Sequence, residues 1–298
     1  GDSGWTAGHQ SLMIFTRKFN FRSYKYGGKK GLYNPWNTDL MWKVRSEQQP
    51  AFLLPGIGQI EGGPSGFLYN PSTSMGPEYN KKFFVIHYKG SLAKSNISMF
   101  NTEEEGAGFK TTNHKFFMKG SNCVDIEFGP DGRMYMSDYN YGGWENQNVG
   151  NIYAFSFPNE IIKPEILKNK EYMVADYSKF SVAELTVLLG RNHQMIRQKS
   201  QFELAKRGEE GKAVFVKAMS EKSNPTLVRI HGVWGLGQMA YKNPEIVKEV
   251  MSFLNDDNEQ VRIQSARVLG DHRVKEAIPM LLKSLEDKHP RVAMYAGI

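Results

Sequence analysis

The sequence predicts a multidomain β plus α chain in which the blades of a β-propeller run into an α-solenoid, and three observations carry that prediction. The first is a helical repeat: Ile196-Arg197, Val228-Arg229 and Val261-Arg262 recur after 32 and 33 residues, and a further copy starts at Val292, 31 residues on. The second is composition. Of 29 Gly, 21 precede residue 179, as do Trp5, Trp36, Trp42 and Trp144, leaving Trp234 alone in the helical part; turn-rich, aromatic sequence favours strands. The third is a second recurrence, Tyr69-Asn70-Pro71 and Phe128-Gly129-Pro130, 59 residues apart and each followed by an aromatic strand pattern. Successive sheets of a radial repeat read this way. The divisions expected are blades over 1–158, a linker over 159–180 and helical repeats over 181–298.

The clearest strand pattern lies between 122 and 156. Val124, Ile126 and Phe128 alternate with Asp125 and Glu127, Gly129-Pro130-Asp131-Gly132 supplies a turn with a positive φ, and Met134 and Met136 alternate with Tyr135. A third strand is expected at Asn151 to Phe155. The preceding unit reads as Phe67 to Tyr69, Phe83 to Tyr88 and Ile97 to Phe100, with Glu103-Glu104-Glu105 in a solvated loop. Three strands per unit suit a propeller blade, with Phe67–Tyr69 and Val124–Phe128 innermost. A β-sandwich of the same hairpins is the alternative, and recurrence as a unit favours blades. Residues 1–54 are expected to be most of another blade, with a loop at Gly27 to Gly31.

In the helical part, Ser181-Val182-Ala183-Glu184 reads as a capping box, Gly190 and Gly208 sit where helices end, and Pro225, Pro244 and Pro290 fit first turns. Antiparallel helices of about 10 to 16 residues follow. Phe202, Leu204 and Ala205, then Val233, Leu236 and Ala240, then Ala266, Val268 and Leu269 are assigned to the buried face. The segment Asp257 to Gly270, an acidic turn followed by Val-Arg and a small-residue helix, resembles a HEAT repeat. That resemblance implies a structural role for Arg197, Arg229 and Arg262, pairing with the turn acids of neighbouring repeats. The fourth copy has Ala293 at the Arg position, so the ladder changes character there. A concave HEAT surface implies protein partners.

There are 38 Lys and Arg against 31 Asp and Glu, a net charge of +7, of which +5 falls after residue 178. Lys and Arg alternate with Glu along the helices and form no stripe, a pattern against nucleic-acid binding. Cys123 is the only cysteine, so the chain has neither an internal disulfide nor a Cys-x-x-Cys metal or haem motif. The sequence contains no apolar run long enough to span a membrane and no signal peptide. Both ends read as cut, and the chain is expected to be an internal piece of a longer protein.

Gly1-Asp2-Ser3-Gly4-Trp5, Gly63-Pro64-Ser65-Gly66 and Asp125-x-x-Phe128-Gly129-Pro130-Asp131-Gly132 together resemble the later blades of quinoprotein glucose/sorbosone dehydrogenases. The likeness is strongest to the bacterial "membrane-bound dehydrogenase" group, in which a propeller runs into HEAT repeats and then a cytochrome c domain. It implies a six-bladed-type propeller in a periplasmic or cell-surface protein of a Gram-negative bacterium. The implied activity is oxidation of a sugar or alcohol with pyrroloquinoline quinone (PQQ) and Ca²⁺, passing electrons to a downstream c-type haem. By the same resemblance the channel-mouth positions are Asp2, Trp5 and His9, then Pro64 and Ser65, then Asn122 and Asp125. Of these, His9 and Asp125 are the candidate catalytic groups; Asp2, Trp5, Pro64, Ser65 and Asn122 are candidates to touch the cofactor. No metal ligand is assigned.

The sequence departs from that family where Arg residues enter a late inner strand: Ser121, Asn122 and Cys123 stand there instead. With part of the ring absent, the chain alone is expected to bind no quinone and oxidise no sugar. Each candidate also has a structural reading. Asp125 caps an inner strand, His9 is a surface or packing histidine, Asp138 and Trp144 are turn and packing residues, and Cys123 is a small buried apolar residue. Two further functions compete with the dehydrogenase: a non-catalytic propeller and HEAT scaffold for a larger complex, and a carbohydrate-binding propeller using Trp5, Trp36 and Trp144 as stacking platforms.

Overall fold

Alternating apolar residues in the first half build two antiparallel sheets, and 3.6-residue periodicity in the second builds stacked helices. A computed structural model describes residues 64–139 and 149–298, together with two short strands, β1 (Ile14–Thr16) and β2 (Gly58–Ile60), which pair in parallel. The chain divides into two compact units. One holds the residues up to Ile161 except Pro71–Thr73; the other holds Pro71–Thr73 and Ile162–Ile298. Expectations for His9, Asp2 and Trp5, for Trp36 and Trp144, and for the loop at 27–31 lie outside the described residues.

In the first unit, β3 (Pro64–Tyr69), β4 (Phe83–His87), β5 (Asn96–Glu105) and β6 (Gly108–Lys119) form a four-stranded meander. β4 is central and apolar on both faces. Phe84 and Ile86 join a core with Ile97, Met99, Cys123, Ile126, Met134 and Met136, while Phe83 and Val85 face the other way, onto Phe67 and Phe100. On that second face the ring centroids of Phe67 and Phe83 are 5.5 Å apart and those of Phe83 and Phe100 5.4 Å.

The expected unit stopped at Phe100, and the structure adds a fourth strand. Its residues read as polar because most of the β5–β6 hairpin beyond Phe100 is solvated, so no apolar alternation marks it. Cross-strand pairs join its outer part, with Thr102 opposite Thr111 and Glu103 opposite Lys110, while Phe117 and Met118 pack on the core. Glu103–Glu105 are therefore solvated as expected but lie in a strand, not a loop. β6 is bulged at Asn113, whose φ is 52°, and carries Lys110, Lys115 and Lys119, features that discourage pairing with another chain.

The second sheet is β7 (Cys123–Phe128), β8 (Met134–Asp138) and β9 (Asn151–Phe155), also antiparallel and in chain order. The Gly129–Gly132 turn forms as expected, with Gly129 N–H donating to Arg133 O at 2.9 Å and Gly132 at φ 80°. β7 departs from simple alternation. Cys123 pairs with Asp138 but Asp125 with Ser137, so Val124 is an extra residue, and Cys123 and Ile126 are the fully buried positions of the strand. The first strands of the two sheets, β3 and β7, meet at Gly66: a β-carbon there would lie 3.1 Å from Asp125 Cα and 2.9 Å from Ile86 Cδ1. The described strands form separate sheets and do not close into a ring.

Residues 159–180, expected as a linker, contain the rest of α1 (Pro158–Ile161), α2 (Pro164–Val174) and a 3₁₀ turn, Tyr177–Lys179. Then come α3 (Val182–Leu188), α4 (Gln194–Leu204), α5 (Glu209–Ser220), α6 (Thr226–Ala240), a 3₁₀ helix Pro244–Asn255, α7 (Glu259–Asp271), α8 (Ile278–Ser284) and α9 (Pro290–Gly297). The capping box forms as read: Ser181 N–H donates to Glu184 Oε2 at 2.8 Å and Glu184 N–H to Ser181 Oγ at 3.3 Å. Pro244–Asn255 is 3₁₀ and buries Ile246, Val247, Val250 and Leu254 against the core. Gly235 lets α6 close on α5, since a β-carbon there would lie 2.4 Å from the Phe215 ring.

The repeats are joined by charged rungs. Arg229 forks onto Asp256 with Nη1–Oδ1 at 3.1 Å and Nη2–Oδ2 at 2.5 Å, and its Nε donates to Met219 O at 2.9 Å. Both side chains are nearly buried, 5% and 6% exposed. Arg262 repeats the fork on Asp287 at 2.7 and 3.0 Å. In each case the acid lies two residues before the residue that precedes the next helix, Asn258 or His289. The same position before α6, two residues ahead of Pro225, is Ser223, and Arg197 instead donates to Arg191 O at 2.7 Å and His231 Nε2 at 3.4 Å. In the fourth repeat Ala293 takes the Arg position and Arg291, two residues earlier, is buried.

Removing one partner of a buried pair strands the other charge, so Asp256→Ala should cost about 3–5 kcal/mol, read by chemical denaturation. Its neighbour Asp257 is exposed, and Asp257→Ala should leave the midpoint within scatter. At the meeting of the sheets, Gly66→Ala should destabilise by about 1–3 kcal/mol, because the obstructing Asp125 Cα is backbone and yields little. An unchanged midpoint in Gly66→Ala would show that β3 and β7 do not approach so closely.

Candidate functional site

Two places gather polar groups suited to function. At the start of β7, Ser121, Asn122 and Cys123 are buried with Asp138. Ser121 Oγ–H donates to Cys123 Sγ at 2.8 Å, and the thiol faces Asp138 Oδ2 at 3.7 Å. Burial pushes the Cys123 thiol up, and the Asp138 carboxylate adds to that against the Ser121 hydrogen bond, so the sulfur is a protonated, packed group. Asn122 is fully buried, its carbonyl taken by Tyr139 N–H at 3.0 Å. Asp125 is exposed and its Oδ1 accepts from Ile126 N–H at 2.9 Å, the strand-capping arrangement. Ser65 is exposed, and its neighbour Gly66 lies against Asp125; Pro64 opens β3. The geometry thus brings the Ser65 strand beside Asp125 but leaves Asn122 below the surface. A quinone with several carboxylates needs cations, and the uncharged Ser121, Asn122 and Cys123 do not fit that demand. Among the described residues no group of three or more His, Cys, Asp or Glu is placed to hold a metal ion.

The second place is a groove of about 270 Å³ across α4, α6 and α7. Phe202, Trp234 and Tyr241 supply its aromatic walls, with Gln238, Arg267 and His272 among the polar ones. Phe202 was assigned to the core, but it is 43% exposed; the helix instead buries Gln201 and Glu203, whose polar ends are hydrogen-bonded. Tyr241 is 78% exposed and its ring lies 4.6 Å from that of His272. Gly237 helps to shape the floor, since a β-carbon there would lie 2.9 Å from Val268 Cγ1.

Beneath the groove runs a directional hydrogen-bond chain. Arg197 can only donate, so His231 Nε2 accepts and Nδ1 carries the proton, donating to Gln201 Oε1 at 2.7 Å. Gln201 Nε2 in turn donates to Gln238 Oε1 at 3.2 Å. Trp234 stands edge-on to His231, centroids 5.2 Å apart, and donates to Gln264 Oε1 at 2.9 Å. Three successive repeat helices are thereby linked under one surface. Burial, reinforced by the Arg197 charge, drives His231 down to about 4; burial with Arg197, Arg191 and Lys199 does the same to His193 at the start of α4.

A family model described as HEAT repeats matches residues 212–297, the span from α5 to α9. No curated protein matches this chain. A solved structure similar to part of it is the complex of CpcE and CpcF of phycocyanin lyase from Nostoc sp. PCC7120, with 18% identity and a TM-score of 0.28. That match covers 36% of this chain and 43% of the other, so this chain spans less than half of that structure's chain. Residues 212–297 therefore carry HEAT-like repeats, and no described helix is long and apolar enough to cross a membrane.

The groove was missed from sequence because its aromatics sit at helical spacings that also describe a core. The available signal was Trp234, Gln238 and Tyr241 at i, i+4 and i+7, on the side of the helix away from Arg229.

The two buried histidines set a pH window. Their folded values lie below the unfolded 6.5, so the neutral rings contribute stability that is complete above pH 6.5 and lost as pH falls toward 4. The loss should be on the order of 3 kcal/mol per ring across that window. His231→Gln should remove about half of the slope in thermal melts between pH 6.5 and 4; an unchanged slope would place the titration elsewhere.

Proposed function

We propose that this chain is a protein-interaction scaffold whose helical repeats present the groove face to a partner. One observation carries the reading. Met195, Phe202, Leu227, Trp234 and Tyr241 stand at least partly exposed at seven-residue spacings on the successive repeat helices α4 and α6 and their ends. Interfaces are enriched in aromatic residues and Met and depleted of Lys, Glu and Asp, and stacked repeats offer such surfaces in extended form. The buried charged rungs and the Arg197–His231–Gln201–Gln238 chain hold the helices in fixed register, so the face is preorganised for binding. The HEAT-repeat match over 212–297 supports the same reading.

For the strand-rich part, the side-by-side first strands of two meander sheets support a pair of neighbouring propeller blades. Redox activity, a sugar substrate, a c-type haem and a location outside the cytoplasm rest on the resemblance alone.

Cross-linking the full chain to a partner recovered from its native source, with lysine-reactive reagents and peptide mapping, tests the scaffold. Cross-links are expected at Lys206 and Lys242, which flank the groove helices. Saturable quinone binding with Ca²⁺-dependent, sugar-driven dye reduction by the isolated chain would reverse the order of the two readings.

A further inference from the structure

Resting on the scaffold reading, we propose that the α4–α6–α7 groove binds an acidic peptide segment of the partner, one that carries an aromatic or branched aliphatic anchor. The groove fixes the anchor. At about 270 Å³ it falls below the roughly 300–1,000 Å³ of sites that enclose whole small molecules, so it suits one or two inserted side chains. Phe202, Trp234 and Tyr241 line it without stacking on one another, which leaves their faces for an incoming group. Gln238 and Arg267 add donors that match the backbone of an extended segment.

Charge fixes the rest of the partner. Tyr241 and His272 touch at one end of the groove, and the residues that follow them, Lys242 and Arg273, are exposed cations. Neither makes an ion pair or a side-chain hydrogen bond among the described residues, whereas Lys206 and Arg207 at the end of α4 are both bound to Glu203. The one acid lining the groove, Asp271, already lies 3.7 Å from Arg267. The groove end therefore carries uncompensated positive charge, in the half of the chain that holds +5 of the net +7. Carboxylates flanking an apolar anchor are the complementary chemistry.

The backbone at Arg273 points the same way. Val274 N–H donates to Leu269 O at 3.1 Å and Arg273 N–H to Gly270 O at 2.9 Å, which places Arg273 in the left-handed position of a Schellman cap with φ 52°. Glycine takes that position at lower cost than any residue with a β-carbon. The cap fixes the Arg273 backbone beside the groove end, and its side chain, which makes no ion pair among the described residues, is left for a ligand carboxylate.

Selection of a phage-displayed random peptide library on the full chain, followed by anisotropy titration of fluorescein-labelled winners, is the test. Enriched peptides should pair Asp or Glu with an aromatic or branched aliphatic residue and bind more weakly as salt rises. Tyr241→Ala, Lys242→Glu and Arg273→Gly should each weaken binding about fivefold or more, the scale of one lost hot-spot or charge contact. Arg273→Gly should meanwhile keep or raise the melting temperature, which separates lost binding from lost fold. Winners that are basic or uncharged, winners indifferent to all three substitutions, or no enrichment at all would overturn the groove assignment. Cross-links from a native partner mapping to another face would then keep the scaffold while discarding this site.

Discussion

The helical unit depends on one repeated interaction, a guanidinium on one repeat buried against the carboxylate that opens the next. Two charges removed from water are costly unless geometry and secondary hydrogen bonds compensate, and here both conditions hold. The Asp256 carboxylate that receives the Arg229 fork also accepts from Asn258 N–H at 2.9 Å, and Asp287 does the same for Arg262 and His289 N–H at 2.8 Å. Each acid therefore organises a turn and a rung at once. Although burial pushes the Asp287 carboxyl up, the Arg262 fork and the His289 amide outweigh it and hold the group below its ordinary range. Asn258 completes the assembly by accepting from Gln260 and Val261 N–H at the start of α7.

Fixed rungs have a consequence for the opposite side of the same helices. Because Arg229 and Arg262 set the rotation of α6 and α7, the residues five, nine and twelve positions further along α6, Trp234, Gln238 and Tyr241, come to the groove face. The first rung differs: Ser223 replaces an acid, and Arg197 turns to Arg191 O and His231. That substitution diverts a permanent charge toward two buried histidines and starts the hydrogen-bond chain that runs under the groove. The later rungs hold through carboxylates.

In the strand-rich unit the governing constraint is steric. Gly66 is the position where one sheet comes within reach of the backbone of the next, and the extra residue at Val124 turns Cys123 and Ile126 to the same interior. Ser121, Cys123 and Asp138 then bond to one another, with Asn122 buried beside them. A bulge that aligns a thiol, a hydroxyl and an amide inward builds core, whatever those residue types suggest when read singly.

Sequence by itself determined the repeat period, the helix starts at Ser181 and Pro290, the Gly129–Gly132 hairpin and the pairing of Arg229 and Arg262 with turn acids, though not that of Arg197. These are local or periodic features, set by backbone preference, capping and spacing along the chain. It did not determine the β6 strand, which rests on cross-strand pairs such as Thr102–Thr111 and on Phe117 packing against Phe84, contacts that no single segment reveals. Nor did it place Phe202 outside the core, tell Asp256 from Asp257, or bring Tyr241 against His272. Those outcomes depend on the rotation of one helix against another. Only tertiary packing fixes that angle, and with it which members of an apolar, aromatic stripe are buried and which are left to meet a partner.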